Sequence, residues 1–163
     1  MDRQRQSRGI GRAQTDRAGA LFTDIVLEVF RLNGALIAAG NALANGTGLT
    51  SARWQVLGAV ALAAASPTVA QIARAMGLTR QGVQRLVDEL EADSIVRRVG
   101  HPESRRARAV QLTPRGESLY AEMMRRQAPW ANRTAKGIDP AALERVVDVL
   151  RELRLRLEQD AGE

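Results

Sequence analysis

Thr68-Val-Ala-Gln-Ile-Ala-Arg-Ala-Met-Gly77-Leu-Thr79-Arg-Gln-Gly-Val-Gln-Arg-Leu-Val-Asp-Glu-Leu90 decides the fold of this chain. It reads as two short amphipathic helices meeting at Gly77. Glycine takes the left-handed conformation that ends a helix and opens a tight turn. Ala73, four residues earlier, is small where the second helix must cross. Ile72, Leu78, Val83 and Leu86 are expected to fill the angle between the two. Thr79 is a good N-cap for the second helix, expected to reach Ala92. That helix buries Val83, Leu86, Val87 and Leu90 and turns Arg80, Gln81, Gln84, Arg85 and Asp88 outward. This is the helix-turn-helix pattern, whose second helix lies in the DNA major groove. Glutamine pairs with adenine edges, and arginine with guanine or phosphate.

A basic hairpin follows. Residues 95–100 and 107–113 read as two short strands. Between them stands His101-Pro-Glu-Ser-Arg-Arg-Ala-Arg108, a polar loop with three arginines. A basic hairpin directly after a recognition helix is a wing, and arginines at its tip suit the negative potential of a narrow minor groove.

The totals agree with a nucleic-acid partner. The chain has 163 residues, enough for one domain, and is 45% hydrophobic, enough for a core. Its net charge is +6 and its pI about 11.2, which favours a polyanion. Lys136 is the only lysine, so nearly all positive charge is arginine. The chain has no cysteine, which excludes disulfides, thiolate metal sites and thiol redox sensing. No apolar run reaches the ~20 residues of a membrane span, and the chain reads as cytoplasmic.

Outside this centre, residues 1–17 form a flexible basic arm, with arginines spread among Gln, Ser and Gly. Residues 18–45 carry a helical seam of Phe22, Ile25, Val29, Leu32, Leu36, Ala39 and Leu43. Leu27, Phe30 and Ile37 fall on a second face, so this helix has two sides to bury. Leu49-Thr50-Ser51 opens another helix, capped by Thr50 or Ser51, with Trp54, Leu57, Val60 and Ala61 as its apolar face. Trp54 suits the core, and also the wall of a small-molecule cleft. Thr113 and Pro114 start a linking helix over about 114–135, which Pro129 should kink or end. Leu119 and Met123 face inward, with Met124 and Trp130 as further inward candidates. The last helix, about 139–158, repeats Leu143, Val146, Leu150, Leu153 and Leu157 in steps of three and four. So long a leucine seam needs a partner, and pairing both chain termini gives a dimerisation base. The expected architecture is mainly α with a small β-wing: a winged helix-turn-helix lobe over about 50–113 on a helical dimer base, all within one domain over 18–163.

This order of elements resembles the MarR family of bacterial transcription regulators. The resemblance covers about residues 18–157. Its most specific parts are Leu49-Thr-Ser-Ala-Arg-Trp-Gln-Val-Leu57, the helix-turn-helix, and residues 102–116 with their Leu112-Thr113-Pro-Arg-Gly116 ending. The resemblance implies a homodimer that represses nearby genes. It also implies release from DNA when a small aromatic or phenolic acid binds between base and lobe. It places Arg106 in the minor groove and pairs Asp88 with it as a positioning residue. The family loop is commonly Asp-Pro-x-Asp-Arg-Arg; here His101 and Ser104 replace the aspartates, giving a more positive wing. The usual glycine after the recognition helix is Ser94, so Asp93 or Ser94 must manage the helix exit.

The expected function is a sequence-specific DNA-binding repressor. Thr79 and the first-turn amides sit on phosphate, and Arg80, Gln81, Gln84 and Arg85 read or flank bases. Arg97, Arg98, Arg105 and Arg108 lie on phosphates or nearby, beside Arg106. The partners are double-stranded DNA, a second copy of the chain and a small ligand near Trp54; no cofactor, metal or membrane is expected. The alternatives are a winged-helix module that binds protein and a DNA-binding protein without a ligand. An enzyme is not expected: the single histidine, His101, lies in a loop, and no carboxylate pair or phosphate-cradling glycine loop stands out.

Overall fold

The computed structural model describes residues 15–101 and 104–160, with the side chains of 101 and 104–106 excepted. Six helices and one hairpin follow in the order α1 (Arg17–Ala44), α2 (Ser51–Ala61), α3 (Val69–Met76), α4 (Arg80–Ala92), β1 (Val96–His101), β2 (Ser104–Leu112), α5 (Pro114–Ala135) and α6 (Pro140–Asp160). Residues 1–14 of the basic arm lie outside the described residues.

Threonine sets four of the helix starts. The hydroxyls of Thr50, Thr68, Thr79 and Thr113 each accept from the amide three residues on, and Gln71 completes a capping box with Thr68. Gly77 ends α3 with φ 62°. The Leu78 amide then reaches back to the Ala73 carbonyl at 2.9 Å. The end of α4 has the same geometry without a glycine. Ser94 has φ 57°, the one non-glycine at positive φ among the described residues. Its amide donates to Glu91 O, and that of Ile95 to Leu90 O, each at 2.9 Å, which is the Schellman pattern. Ser94 therefore manages the helix exit.

The core lies under α4. Val56, Leu57, Ile72, Val83, Val87, Leu90, Val96, Val110 and Met123 are almost wholly buried where α2, α3, α4, the hairpin and the start of α5 converge. The strands are antiparallel, with Arg98 opposite Val110 and Arg97 opposite Gln111. The hairpin is fastened to the entrance of α3 by the Val110 amide, which donates to Pro67 O at 2.8 Å. Gly116 packs so tightly on the Ile95 carbonyl that no Cβ fits there.

Three local expectations are corrected. Leu78 does not fill the angle between α3 and α4: it is 42% exposed, because the turn that follows Gly77 carries it outward. Residue 101 belongs to β1 and residues 104–106 to a longer β2, so the connection between the strands is shorter than the loop expected. Of the two outcomes expected at Pro129, a kink or an end, the end does not occur: α5 runs on to Ala135. Pro129 is exposed, and its ring removes one amide from the helical ladder. Val56, fully buried, joins the apolar face expected of α2.

Only Gly40 and Ala44 of α1 are buried, and none of α6 is. Phe30 is 69% exposed, and Leu32, Leu36, Val146, Leu150 and Leu157 are also uncovered.

Candidate functional site

The candidate DNA-contacting surface is built on α4. Its buried stripe of Val83, Leu86, Val87 and Leu90 fixes the helix against the core and leaves Arg80, Gln81, Gln84, Arg85 and Asp88 exposed together. Thr79 Oγ1 accepts from Gly82 N at 3.1 Å. The amides of Arg80 and Gln81 precede the first intrahelical bond and suit an anion. Gln84 Nε2 donates to Asp88 Oδ1 at 2.9 Å, and Arg85 stands 3.8 Å from Glu89. Both contacts are exposed and weak, so they exchange readily for contacts to nucleic acid.

Arg97 and Arg98 point to opposite faces of β1. Arg97 Nη2 donates to Gln111 Oε1 at 3.2 Å, and Gln111 donates on to Ser66 Oγ at 2.9 Å. Arg98 turns toward α4. Its guanidinium is hydrogen-bonded to both Asp88 and Glu91, and its backbone amide donates to Glu91 Oε1 at 3.1 Å. Its side chain is only 23% exposed. The Arg98 hydrogen bond, with help from Gln84, holds the Asp88 carboxyl below its usual range. Arg98 is thus committed to two carboxylates one helical turn apart. Arg108 is exposed on β2. The side chains of Arg105 and Arg106 lie outside the described residues, and with them the Arg106–Asp88 pair.

Two further arginines escaped the sequence reading. Arg53 of α2 donates to Gly48 O at 2.9 Å and pairs with Asp93 at the end of α4. Arg126 of α5 donates to Leu43 O at 3.0 Å and Asn45 O at 2.9 Å, holding the carbonyl end of α1. The clue for Arg53 was a lone charge inside an apolar helix; for Arg126 the sequence carries none.

A cleft of about 390 Å³ opens between α1, α2 and α5. Trp54 lines it, as do Tyr120 and Trp130, with Asn33, Gln55 and Gln127 as polar groups. On the other side of α2 a wider groove runs between α3 and the hairpin, and Gln55, Gly58 and Leu62 border both. Among the described residues, no group of three or more His, Cys, Asp or Glu could hold a metal ion. No helix among them is long and apolar enough to cross a membrane.

The model of the MarR family matches residues 47–107, from the entrance of α2 into the hairpin. The chain is 36% identical over 136 residues to the Mycobacterium tuberculosis protein Rv2011c, covering 83% of this chain and 94% of that one. The chain belongs to the MarR family. A MarR-family transcriptional regulator from Rhodococcus sp. RHA1 superposes with a TM-score of 0.71 at 28% identity, over 82% of this chain and 94% of that chain. CouR from Rhodococcus jostii RHA1, solved bound to p-coumaroyl-CoA, superposes with a TM-score of 0.70 at 26% identity, over 88% and 95%. The MarR family and these neighbours are transcription regulators, not enzymes. The mainly helical fold with its small antiparallel sheet matches theirs.

Proposed function

We propose that this MarR-family protein is a cytoplasmic homodimeric repressor that binds a pseudo-palindromic operator and is released by a small ligand. The observation that carries the DNA-binding part is the exposed Arg-Gln face of α4 beside a basic hairpin. In this reading α4 enters the major groove, where Arg80, Gln81, Gln84 and Arg85 meet base edges or phosphates. Thr79 and the first-turn amides of α4 take a phosphate, and Arg106 enters the minor groove with Arg105, Arg97 and Arg108 near the backbone. Arg98 acts differently, as the brace that holds the hairpin to α4.

The dimer is supported by the bare apolar seams of α1 and α6. Monomeric proteins rarely leave such surface uncovered, and a second copy of the same two helices covers both seams at once. Two-fold symmetry then sets half-sites about 10 base pairs apart. Ligand release is supported by the cleft at Trp54 and by the ligand named for CouR. Because α2 borders both the cleft and the groove beside the hairpin, a ligand that displaces α2 alters the spacing of the DNA-reading elements.

Fluorescence anisotropy on the DNA upstream of the protein's own gene, against a scrambled duplex over a salt series, tests this. Tighter binding to the upstream DNA is expected, with log K falling on log salt by about 0.9 per phosphate contact. Equal affinity for both duplexes at every salt concentration would remove sequence specificity.

A further inference from the structure

We infer that the ligand of the α1–α2–α5 cleft is an uncharged aromatic molecule carrying both a hydrogen-bond donor and an acceptor, rather than an aromatic carboxylate. The inference rests on the proposed role of this cleft as the effector site. The chain has 24 arginine and lysine residues, yet among the described residues no charged residue of either sign lines the cleft. The polar groups that do are the amides of Asn33, Gln55 and Gln127 and the hydroxyl of Ser51, all of which donate and accept, with Tyr120 beside them. Arg126, next to Gln127 in sequence, is committed elsewhere: it donates to the carbonyls of Leu43 and Asn45 and pairs with Glu122. The entrance of α2 offers no substitute cation. Its Ser51 amide donates to Asn41 Oδ1 at 2.7 Å and its Arg53 amide to Thr50 Oγ1 at 3.2 Å. A carboxylate entering here sheds water without gaining an ion partner, which is unfavourable. A neutral ring with an amide, phenol or quinone edge meets complementary groups, with Trp54, Trp130 and Tyr120 for stacking.

The chain's two tryptophans both line this cleft, so intrinsic tryptophan fluorescence reports its occupancy. The full-length protein is titrated at neutral pH with two matched pairs: 4-hydroxycinnamamide against 4-hydroxycinnamate, and 2-naphthamide against 2-naphthoate. The expected result is quenching by each amide at concentrations at least about tenfold below its acid. Gln127→Arg, which adds a cation to the lining, is expected to shift the ratio toward the acids. Equal or tighter binding of the acids to the natural protein would overturn the inference and leave the cleft as an effector site. Quenching by no member of either pair would also overturn it. A Gln127→Arg ratio equal to that of the natural protein would overturn the assignment to this cleft. The DNA anisotropy series is independent of all these titrations, so failure of the DNA-binding reading is seen separately.

Discussion

The guanidinium of Arg98 on β1 is hydrogen-bonded to the carboxylate of Asp88 on α4, three residues before Glu91, which takes the same guanidinium. This bracket ties the hairpin to the helix that carries the exposed Arg-Gln face. Both acids lie on the side of α4 toward the hairpin, so the bracket sets the distance between the two elements. Arg98→Gln is expected to lower specific DNA affinity several-fold while leaving the salt slope unchanged. Loss of a direct phosphate contact lowers that slope by about 0.9. Anisotropy over a salt series separates the two roles, and Arg98→Lys, which keeps the charge, should recover part of the affinity.

The same pair predicts a pH response. The Arg98 hydrogen bond is the largest cause of the lowered Asp88 pKa, and Gln84 adds to it. A lowered carboxyl pKa contributes stability above the unfolded value, and that contribution is lost as pH falls through the folded value. The Asp88–Arg98 bond should therefore hold at neutral pH and break at a lower pH than that at which an unpaired aspartate is protonated. In Arg98→Gln the Asp88 carboxyl should titrate at higher pH. A carboxyl carbon NMR titration of both proteins reads the difference directly.

Ser94 occupies a conformation that suits glycine. Ser94→Gly should stabilise the protein by about 1 kcal/mol and raise Tm by a few degrees. Differential scanning calorimetry on both chains at equal concentration checks it, and a lower Tm would contradict the helix-exit geometry.

Gly116→Ala should act in the opposite direction. The added Cβ would meet the Ile95 carbonyl oxygen, which is backbone and cannot swing aside. A loss of about 1–3 kcal/mol is expected, seen as a lower midpoint in urea.

The proposed dimer makes its own prediction. Leu150 and Val146 are exposed on α6, which buries none of its residues within one chain. Leu150→Glu should weaken the dimer at least about tenfold, because a carboxylate would have to be desolvated at the seam. Sedimentation equilibrium measures the change, and far-ultraviolet circular dichroism shows whether the helices remain.

Much that depends on near neighbours along the chain was legible in the sequence, the outward turn of Leu78 and the run of α5 past Pro129 excepted. The Thr79 and Thr113 caps act over three residues, Gly77 acts through its own φ, and the stripe Val83, Leu86, Val87, Leu90 follows from helical period alone. The polar face of α4 was legible for the same reason. Its counterparts on the hairpin were legible only as a basic composition, because alternation along a strand does not say which face meets α4.

Tertiary packing decided the rest. It gave Asp88 and Glu91 to Arg98, pinned α1 to α5 through Arg126 across more than eighty residues, and gathered Trp54, Tyr120 and Trp130 from two helices around one charge-free cleft. Local pattern determines which residues share one face of an element, since that needs only its period. Which acid an arginine finds, and which charges are kept from a cavity, depends on how rigid elements distant in sequence are set against one another.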